Sequence, residues 1–323
     1  KYDDTNKMWN IQCNKSLNFY SQYLIIATGF YNSKKIPNLD IKNFTGKVIH
    51  SSELNKLNKK DIYNKNIVIV GNGSTGCDLT CNLQKYAKNT SLIYRSNRWI
   101  VQRYYDINKG PIQPLISSHA FVNKFSIKLG EILPIKIYVI ILALAFCFYF
   151  YSCDYKFFIN LPKEKMNRNN VTFSEKLFGL IDKNKINYIK SNTIKFTKNS
   201  IITDNQNIEA DTVILSTGYK NSIPLLNIDN TPLLYNHIIH PDINNCGFIG
   251  YAASFNWLII SDIQSKWYIL HMLKNINYKK DHMYKRISAH IKIQNNLKLD
   301  YSDLTYSCYN YIDELTNDIK KIE

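Results

Sequence analysis

Four consecutive β-branched residues, Ile67-Val68-Ile69-Val70, run into the glycine-rich turn Gly71-Asn72-Gly73-Ser74-Thr75-Gly76 and on to the helix-compatible Cys77-Asp78-Leu79. An unbroken aliphatic run of this length suits a parallel strand buried on both faces, and Gly71 ends it where the backbone must turn. A β-carbon at Gly73 would intrude on a closely approaching pyrophosphate, and Gly76 lets the following helix sit tightly on the strand. Free backbone N–H groups and the positive end of the helix dipole would then face the phosphates. A glycine pattern alone says little. A strand before it and a helix after it predict a dinucleotide site formed by Gly71, Asn72, Gly73, Ser74, Thr75, Gly76, Cys77 and Asp78, against the plain alternative of a strand–helix turn.

The helix is expected over residues 75–86 and a second strand over Thr90-Ser91-Leu92-Ile93-Tyr94, ending at Arg95-Ser96-Asn97-Arg98. In a βαβ dinucleotide unit this strand end meets the adenosine ribose, where Asp or Glu would accept from a 2′-hydroxyl and Arg would accommodate a 2′-phosphate. Arg95 and Arg98 therefore favour NADPH over NADH. Asp78 has a second reading, as a first-turn carboxylate that only complements the helix dipole.

At 323 residues the chain has room for about two domains, and 45% apolar with 20% charged residues reads as globular. The net charge of +16 raises nucleic acid or an acidic membrane surface as partners. The basic residues are scattered among Asn and Ile with no dense stripe, so nucleic acid is not expected. Seven cysteines without regular spacing argue against a disulfide framework and for a reducing compartment. The run 137–153 carries no charge but sits at the short end of what spans a bilayer. It is expected as a helix in the membrane interface or a buried insertion. His237 and His240, three apart, have no third ligand cluster nearby, so no metal is expected. Cys77 and Cys81, one helical turn apart, read as small core residues.

The aliphatic runs Tyr23-Leu24-Ile25-Ile26 and Thr212-Val213-Ile214-Leu215 each close on a small residue, Thr and Gly: Ala27-Thr28-Gly29 and Ser216-Thr217-Gly218. These turns bracket the glycine-rich unit, as they would if one nucleotide domain were inserted in another. Short strands at 186–189, 193–196 and 200–203 are expected to cover the nucleotide domain. The expected divisions are 1–62, 63–208 with a hydrophobic helical insertion at about 120–160, and 209–323. A helix is expected from Ser261 past Gln264 and Trp267 to Leu273.

Taken in order, Ala27-Thr28-Gly29, Phe44-x-Gly46-x-x-x-His50-Ser51, Gly71-x-Gly73-x-x-Gly76-Cys77-Asp78, Ser216-Thr217-Gly218-Tyr219, and His240-Pro241-Asp242 followed by Phe248-Ile249-Gly250 and Gln264-x-x-Trp267 resemble the flavin-containing monooxygenases. The resemblance covers nearly the whole chain. Two positions depart from it: Leu54 stands where the family usually has an aromatic residue, and Ser216 where it usually has Ala. No glycine-rich strand–helix unit precedes Tyr23, whereas the family's FAD-binding motif lies well upstream of the first linker. The expectation is thus a Rossmann-like NADPH domain inserted in a partial FAD-binding domain, from a fragment or a truncated gene product.

The resemblance implies FAD and NADPH as cofactors. NADPH would reduce the flavin, which then takes up dioxygen and passes one oxygen atom to a nitrogen or sulfur nucleophile or to a carbonyl. The cofactor carries this chemistry, so few catalytic side chains are expected. Thr28, Gly29, Thr217, Gly218 and Gln264 join the glycine loop, Arg95 and Arg98 as implied cofactor contacts, and His50 is linked to coupling between the domains. Residues 137–153 would allow contact with a membrane surface, and the implied location is cytoplasmic or the cytoplasmic face of the endoplasmic reticulum, not secreted. The alternatives are a non-catalytic NADPH-binding remnant and a flavin-dependent NADPH reductase; the latter would want a C-x-x-C pair, which the sequence lacks.

Overall fold

The computed structural model describes residues 1–13, 17–101, 104–106, 115–117, 129, 132–134, 136–137, 140–141, 170–174, 176–229, 232–254, 256–305 and 307–323. The charge-free run 137–153 and the expected insertion at 120–160 lie almost wholly outside them. Among the described residues no helix is long and apolar enough to cross a membrane. Lys1–Ser33 and Tyr219–Glu323 form one compact unit, and Lys34–Gly218 a second.

The first unit opens with an antiparallel sheet of β1 (Tyr2–Asp3), β2 (Met8–Cys13) and β3 (Leu17–Ser21), followed by β4 (Leu24–Ile26).

The second unit is built on five parallel strands: β5 (Lys47–His50), β6 (Asn66–Val70), β7 (Asn89–Tyr94), β8 (Asn187–Lys190) and β9 (Thr212–Leu215). Their order across the sheet is β8-β7-β6-β9-β5, with Val68 beside both Ser91 and Val213. The period of two along β6 shows why four β-branched residues in a row belong here. Ile67 and Ile69 point to one face, with Cys77, Cys81, Leu92, Leu177 and Ile214. Val68 and Val70 point to the other, with Ile93, Ile201, Val213 and Leu215. Each fully buried aliphatic side chain contributes roughly 1.5–3 kcal/mol, so both faces must be covered for the strand to be stable.

Helix α1 (Ser74–Leu83) lends Cys77 and Cys81 to the first face, the core role read for both from their spacing. The second face is covered by an antiparallel sheet of Lys195–Phe196, Ser200–Ile202 and Asn207–Glu209. The segment at 186–189, expected in that cover, is instead the edge strand of the parallel sheet, with Ile189 beside Ile93.

The borders also differ from the sequence reading. Residues 34–62 and 209–218 belong to the second unit because β5 and β9 pair with each other, Ile49 beside Ile214, and β9 pairs with β6.

The rest of the first unit holds β10 (Cys246–Phe248), parallel to β4, and helices α2 (Trp257–Leu273), α3 (Lys280–Leu297) and α4 (Cys308–Ile322). Its core gathers Trp9, Ile26, Ile223, Leu234, Cys246, Phe248 and Tyr251.

Candidate cofactor site

From β6 the chain steps outward to β7 and β8, then returns to place β9 on the opposite side of β6. In an open parallel sheet the crevice beyond the strand ends at such a reversal is where ligands bind. The C-terminal ends of β6 and β9 carry Gly71 and Ser216, and those of β5 and β7 carry His50 and Arg95. Four stretches far apart in sequence therefore meet at one end of one sheet.

The three loop glycines serve different ends. Gly71 has φ +109°, and a β-carbon there would lie 2.4 Å from the Ser216 carbonyl oxygen. A β-carbon on Gly76 would lie 1.8 Å from the Gly71 carbonyl oxygen, so these two glycines let backbone approach backbone. A β-carbon on Gly73 would meet nothing within 4 Å among the described residues. The protein therefore does not need glycine at Gly73 for its own packing, and the space in front of it is open.

Gly73 is also the N-cap of α1, with extended backbone and no side-chain hydrogen bond capping the helix. The first-turn amides and the positive end of the helix lie beside that space, a site suited to an anion.

The remaining predicted residues divide by environment. Thr75 is exposed, and Ser74 and Asp78 are half-buried. The Ser74 hydroxyl accepts from the Phe173 amide at 3.4 Å. Cys77 is fully buried and its thiol is pushed up to about 12 by desolvation, so it fills core space and presents no side chain to solvent. Asn72 is buried, and its amide is committed to Ser96 and Tyr188. Arg95 is exposed just past β7. Arg98 is half-buried, and desolvation lowers its guanidinium below the usual range.

His50 is buried at the end of β5. Its Nδ1 accepts from the Ser52 amide at 3.2 Å, which leaves Nε2 as the protonated nitrogen, donating to the Gly218 carbonyl at 3.0 Å. The same carbonyl accepts from the Lys35 amide at 2.9 Å, and the Thr217 hydroxyl donates to the Lys35 carbonyl. Thr217 and Gly218 are thus tied to the start of the second unit's chain, with His50 as the third member. In the same fingerprint Gly46 is a packing glycine, since a β-carbon would lie 2.4 Å from the Asp211 carbonyl oxygen.

Thr28, Gly29 and Gln264 lie in the first unit. Thr28 and Gly29 follow β4; the Thr28 hydroxyl shares a 2.7 Å hydrogen bond with Tyr251, and Gly29, at φ +71°, has open space where a β-carbon would be. Gln264 is fully buried: its Oε1 accepts from the Gly250 amide at 2.9 Å, and its Nε2 donates to the Tyr311 hydroxyl at 2.9 Å. It fixes the turn after β10 without reaching solvent itself.

Sequence reasoning did not find Tyr188, Ser96 and Thr172 around Asn72, nor the contact of His237 with His290. The partners lie 24 to 116 residues apart, and no local pattern links them. His240 is not part of that pair; its Nδ1 accepts from the Asp242 amide.

The chain has relatives among known proteins. Putative flavin-containing monooxygenase 2 of Arabidopsis thaliana is 26% identical over 273 residues, covering 76% of this chain and 54% of the relative. Flavin-containing monooxygenase 5 of Oryctolagus cuniculus is 27% identical over 259 residues, covering 76% of this chain and 46% of the relative. The chain spans about half the length of these curated relatives. Among solved structures, S-allyl-L-cysteine S-oxygenase from Allium sativum shares the fold at TM-score 0.58 and 15% identity, over 99% of this chain and 60% of that one. Cyclohexanone monooxygenase from Rhodococcus sp. Phi1, bound to NADP+, does so at TM-score 0.65 and 11% identity, over 99% of this chain and 77% of that one. The α/β architecture with a parallel sheet that this chain shares with these two structures is Rossmann-like. The model of the family described as flavin-binding monooxygenase-like matches residues 12–322, and the chain belongs to that family.

Proposed function

We propose that this chain carries the NADPH-binding part of a flavoprotein monooxygenase that uses FAD, NADPH and dioxygen to oxygenate a small molecule. The open space in front of Gly73, at the sheet's switch point and beside the uncapped start of α1, is the observation that carries the reading. There the main chain can come within reach of a diphosphate, and the α1 amides and dipole favour its charge. Arg95, exposed past the second strand, is assigned to the 2′-phosphate. Thr217 and Gly218, held by Lys35 and His50, form the opposite wall of the crevice.

FAD is assigned to the first unit. Its parallel strands β4 and β10 are each followed by a glycine at positive φ, Gly29 at +71° and Gly250 at +80°, and Gly29 leaves room for close approach. The flavin supplies the redox and oxygen chemistry when bound. The chain's own residues bind, orient and exclude water. The solved neighbours include an S-oxygenase and a cyclohexanone monooxygenase, so a nitrogen or sulfur nucleophile and a carbonyl are the substrate classes we propose. A location in the cytoplasm or on the cytoplasmic face of the endoplasmic reticulum suits the seven cysteines, whose spacing lacks the regularity of a disulfide framework.

The test is spectroscopic. A purified chain that is yellow, binds NADPH and consumes oxygen as it oxidises NADPH supports the monooxygenase. A colourless chain that binds NADPH supports a non-catalytic NADPH-binding part. Failure to bind NADPH at all would overturn the assignment. A reductase acting through cysteines finds no support, because Cys77 and Cys81 are buried in the core.

A further inference from the structure

We infer that Asn72 is a positioning residue that couples the diphosphate loop to the Arg95–Arg98 segment, and so sets the preference for a 2′-phosphorylated cofactor. This rests on the NADPH reading above.

Asn72 sits between Gly71 and Gly73 and is 5% exposed. Its Nδ2 donates to the Ser96 carbonyl at 3.1 Å and to the Tyr188 hydroxyl at 3.3 Å, which accounts for both amide hydrogens. Its own carbonyl accepts from the Thr172 hydroxyl at 3.1 Å. Tyr188 is braced in turn, its ring stacked on Tyr94 at 4.1 Å between centroids. The side chain in the middle of the phosphate loop is thus turned away from the crevice and spent on its surroundings.

What it grips decides its effect. Ser96 lies one residue past Arg95 and two before Arg98, and the grip is on its backbone carbonyl, so it fixes the path of the segment whatever side chain position 96 bears. The diphosphate cradle does not depend on it. Gly71 and Gly76 are seated by backbone-to-backbone approach against Ser216 and each other. Loss of the Asn72 amide should leave the cradle standing and release the segment that carries Arg95. It should therefore weaken the cofactor that has a 2′-phosphate more than the one that lacks it.

Dissociation constants for NADPH and NADH are measured by fluorescence titration on the wild-type chain, Asn72→Ala, Arg95→Glu and the double variant. Asn72→Ala is expected to weaken NADPH about tenfold and NADH less than about threefold. The NADPH loss from Arg95→Glu is expected to shrink when Asn72 is already replaced, the signature of two residues acting on one contact. Equal losses for both nucleotides, or additive losses in the double variant, would overturn the coupling and show a role in loop stability alone. Tyr188→Phe keeps the ring on Tyr94 and removes one of the amide's two acceptors. It should shift the NADPH-to-NADH ratio in the same direction by about two- to threefold, and an unchanged ratio would count against the coupling even if Asn72→Ala fails to fold. A wild-type chain that binds neither nucleotide would instead sink the dinucleotide reading, and this inference with it.

Discussion

Gly73 and Gly76 lie three residues apart in one loop, yet substitution should separate function from stability between them. A β-carbon at Gly73 meets nothing within 4 Å among the described residues, and its φ of −69° suits any residue. Gly73→Val should therefore cost no more than about 1 kcal/mol of stability while abolishing NADPH binding, because the side chain occupies the space meant for the diphosphate. Gly76→Ala places its methyl 1.8 Å from a backbone oxygen that cannot move aside. That variant should lose about 3 kcal/mol or more, read as a lower urea midpoint. Wild-type NADPH affinity in Gly73→Val would contradict the cradle. Ser216 supplies a third case: its hydroxyl is buried beside both glycines with no hydrogen-bond partner among the described residues. Ser216→Ala removes that unpaired group and should raise stability by about 1 kcal/mol, where a loss would mean the hydroxyl has a partner in solution.

At the scale of elements, α2 shows how one buried amide can organise a helix whose other buried residues are Ile260, Trp267 and Tyr268. Gln264 links the helix to the turn after β10 through Gly250, and to α4 through Tyr311. Gln264→Leu would keep the volume and strand the Gly250 amide and the Tyr311 hydroxyl without those partners. It should cost about 3 kcal/mol, whereas Ile269→Ala on the exposed side of the same helix should stay within about 0.5 kcal/mol. Comparable effects at the two sites would show that the buried amide does not hold these elements together. The parallel strand β6, helix α1 and the glycine turn were legible in the sequence because each has a local signature: a β-branched run, small residues at fixed spacing, and a change of period. The start of α2 was not. Its first turn exposes Trp257, Leu258 and Ile259, so apolar residues on the outer side blurred the pattern and the helix was expected only from Ser261. Strand β8 carries the local signature of a strand, but its place in the parallel sheet is set by pairing with β7, about a hundred positions away, which no local pattern shows. Of the site, the backbone features were readable and the network around Asn72 was not, for the same reason of distance along the chain.

Over the whole molecule, the chain leaves one compact unit at Ser33 and returns to it at Tyr219, so the unit that holds β4, β10 and the three long helices is assembled from two distant segments. Its interior carries histidines that must remain neutral. His237 is buried with Nε2 at 3.2 Å from Nε2 of His290, an arrangement in which one imidazole donates and the other accepts. Desolvation, followed by the neighbouring His290, pushes His237 down to about 3; desolvation pushes His271 down to about 4, and lowers His290 as well. Tyr301 and Tyr311 face the pair from the loop before α4 and from α4, and Glu314 and Arg286 act on His290 electrostatically in opposite directions. On unfolding these imidazoles regain an ordinary value of 6.5. Between about pH 6.5 and 3 the unfolded chain therefore binds protons that the folded chain does not, so stability is full above that window and falls as pH drops through it. For His237 alone the loss should reach about 2 kcal/mol by pH 5, before ordinary carboxylates begin to titrate. Urea unfolding at pH 7.5 and pH 5 measures it. His237→Asn tests the source, because the backbone there has φ +54°, which asparagine tolerates. The variant should lose part of the acid sensitivity, and an undiminished difference between the two pH values would place the effect elsewhere than in this pair.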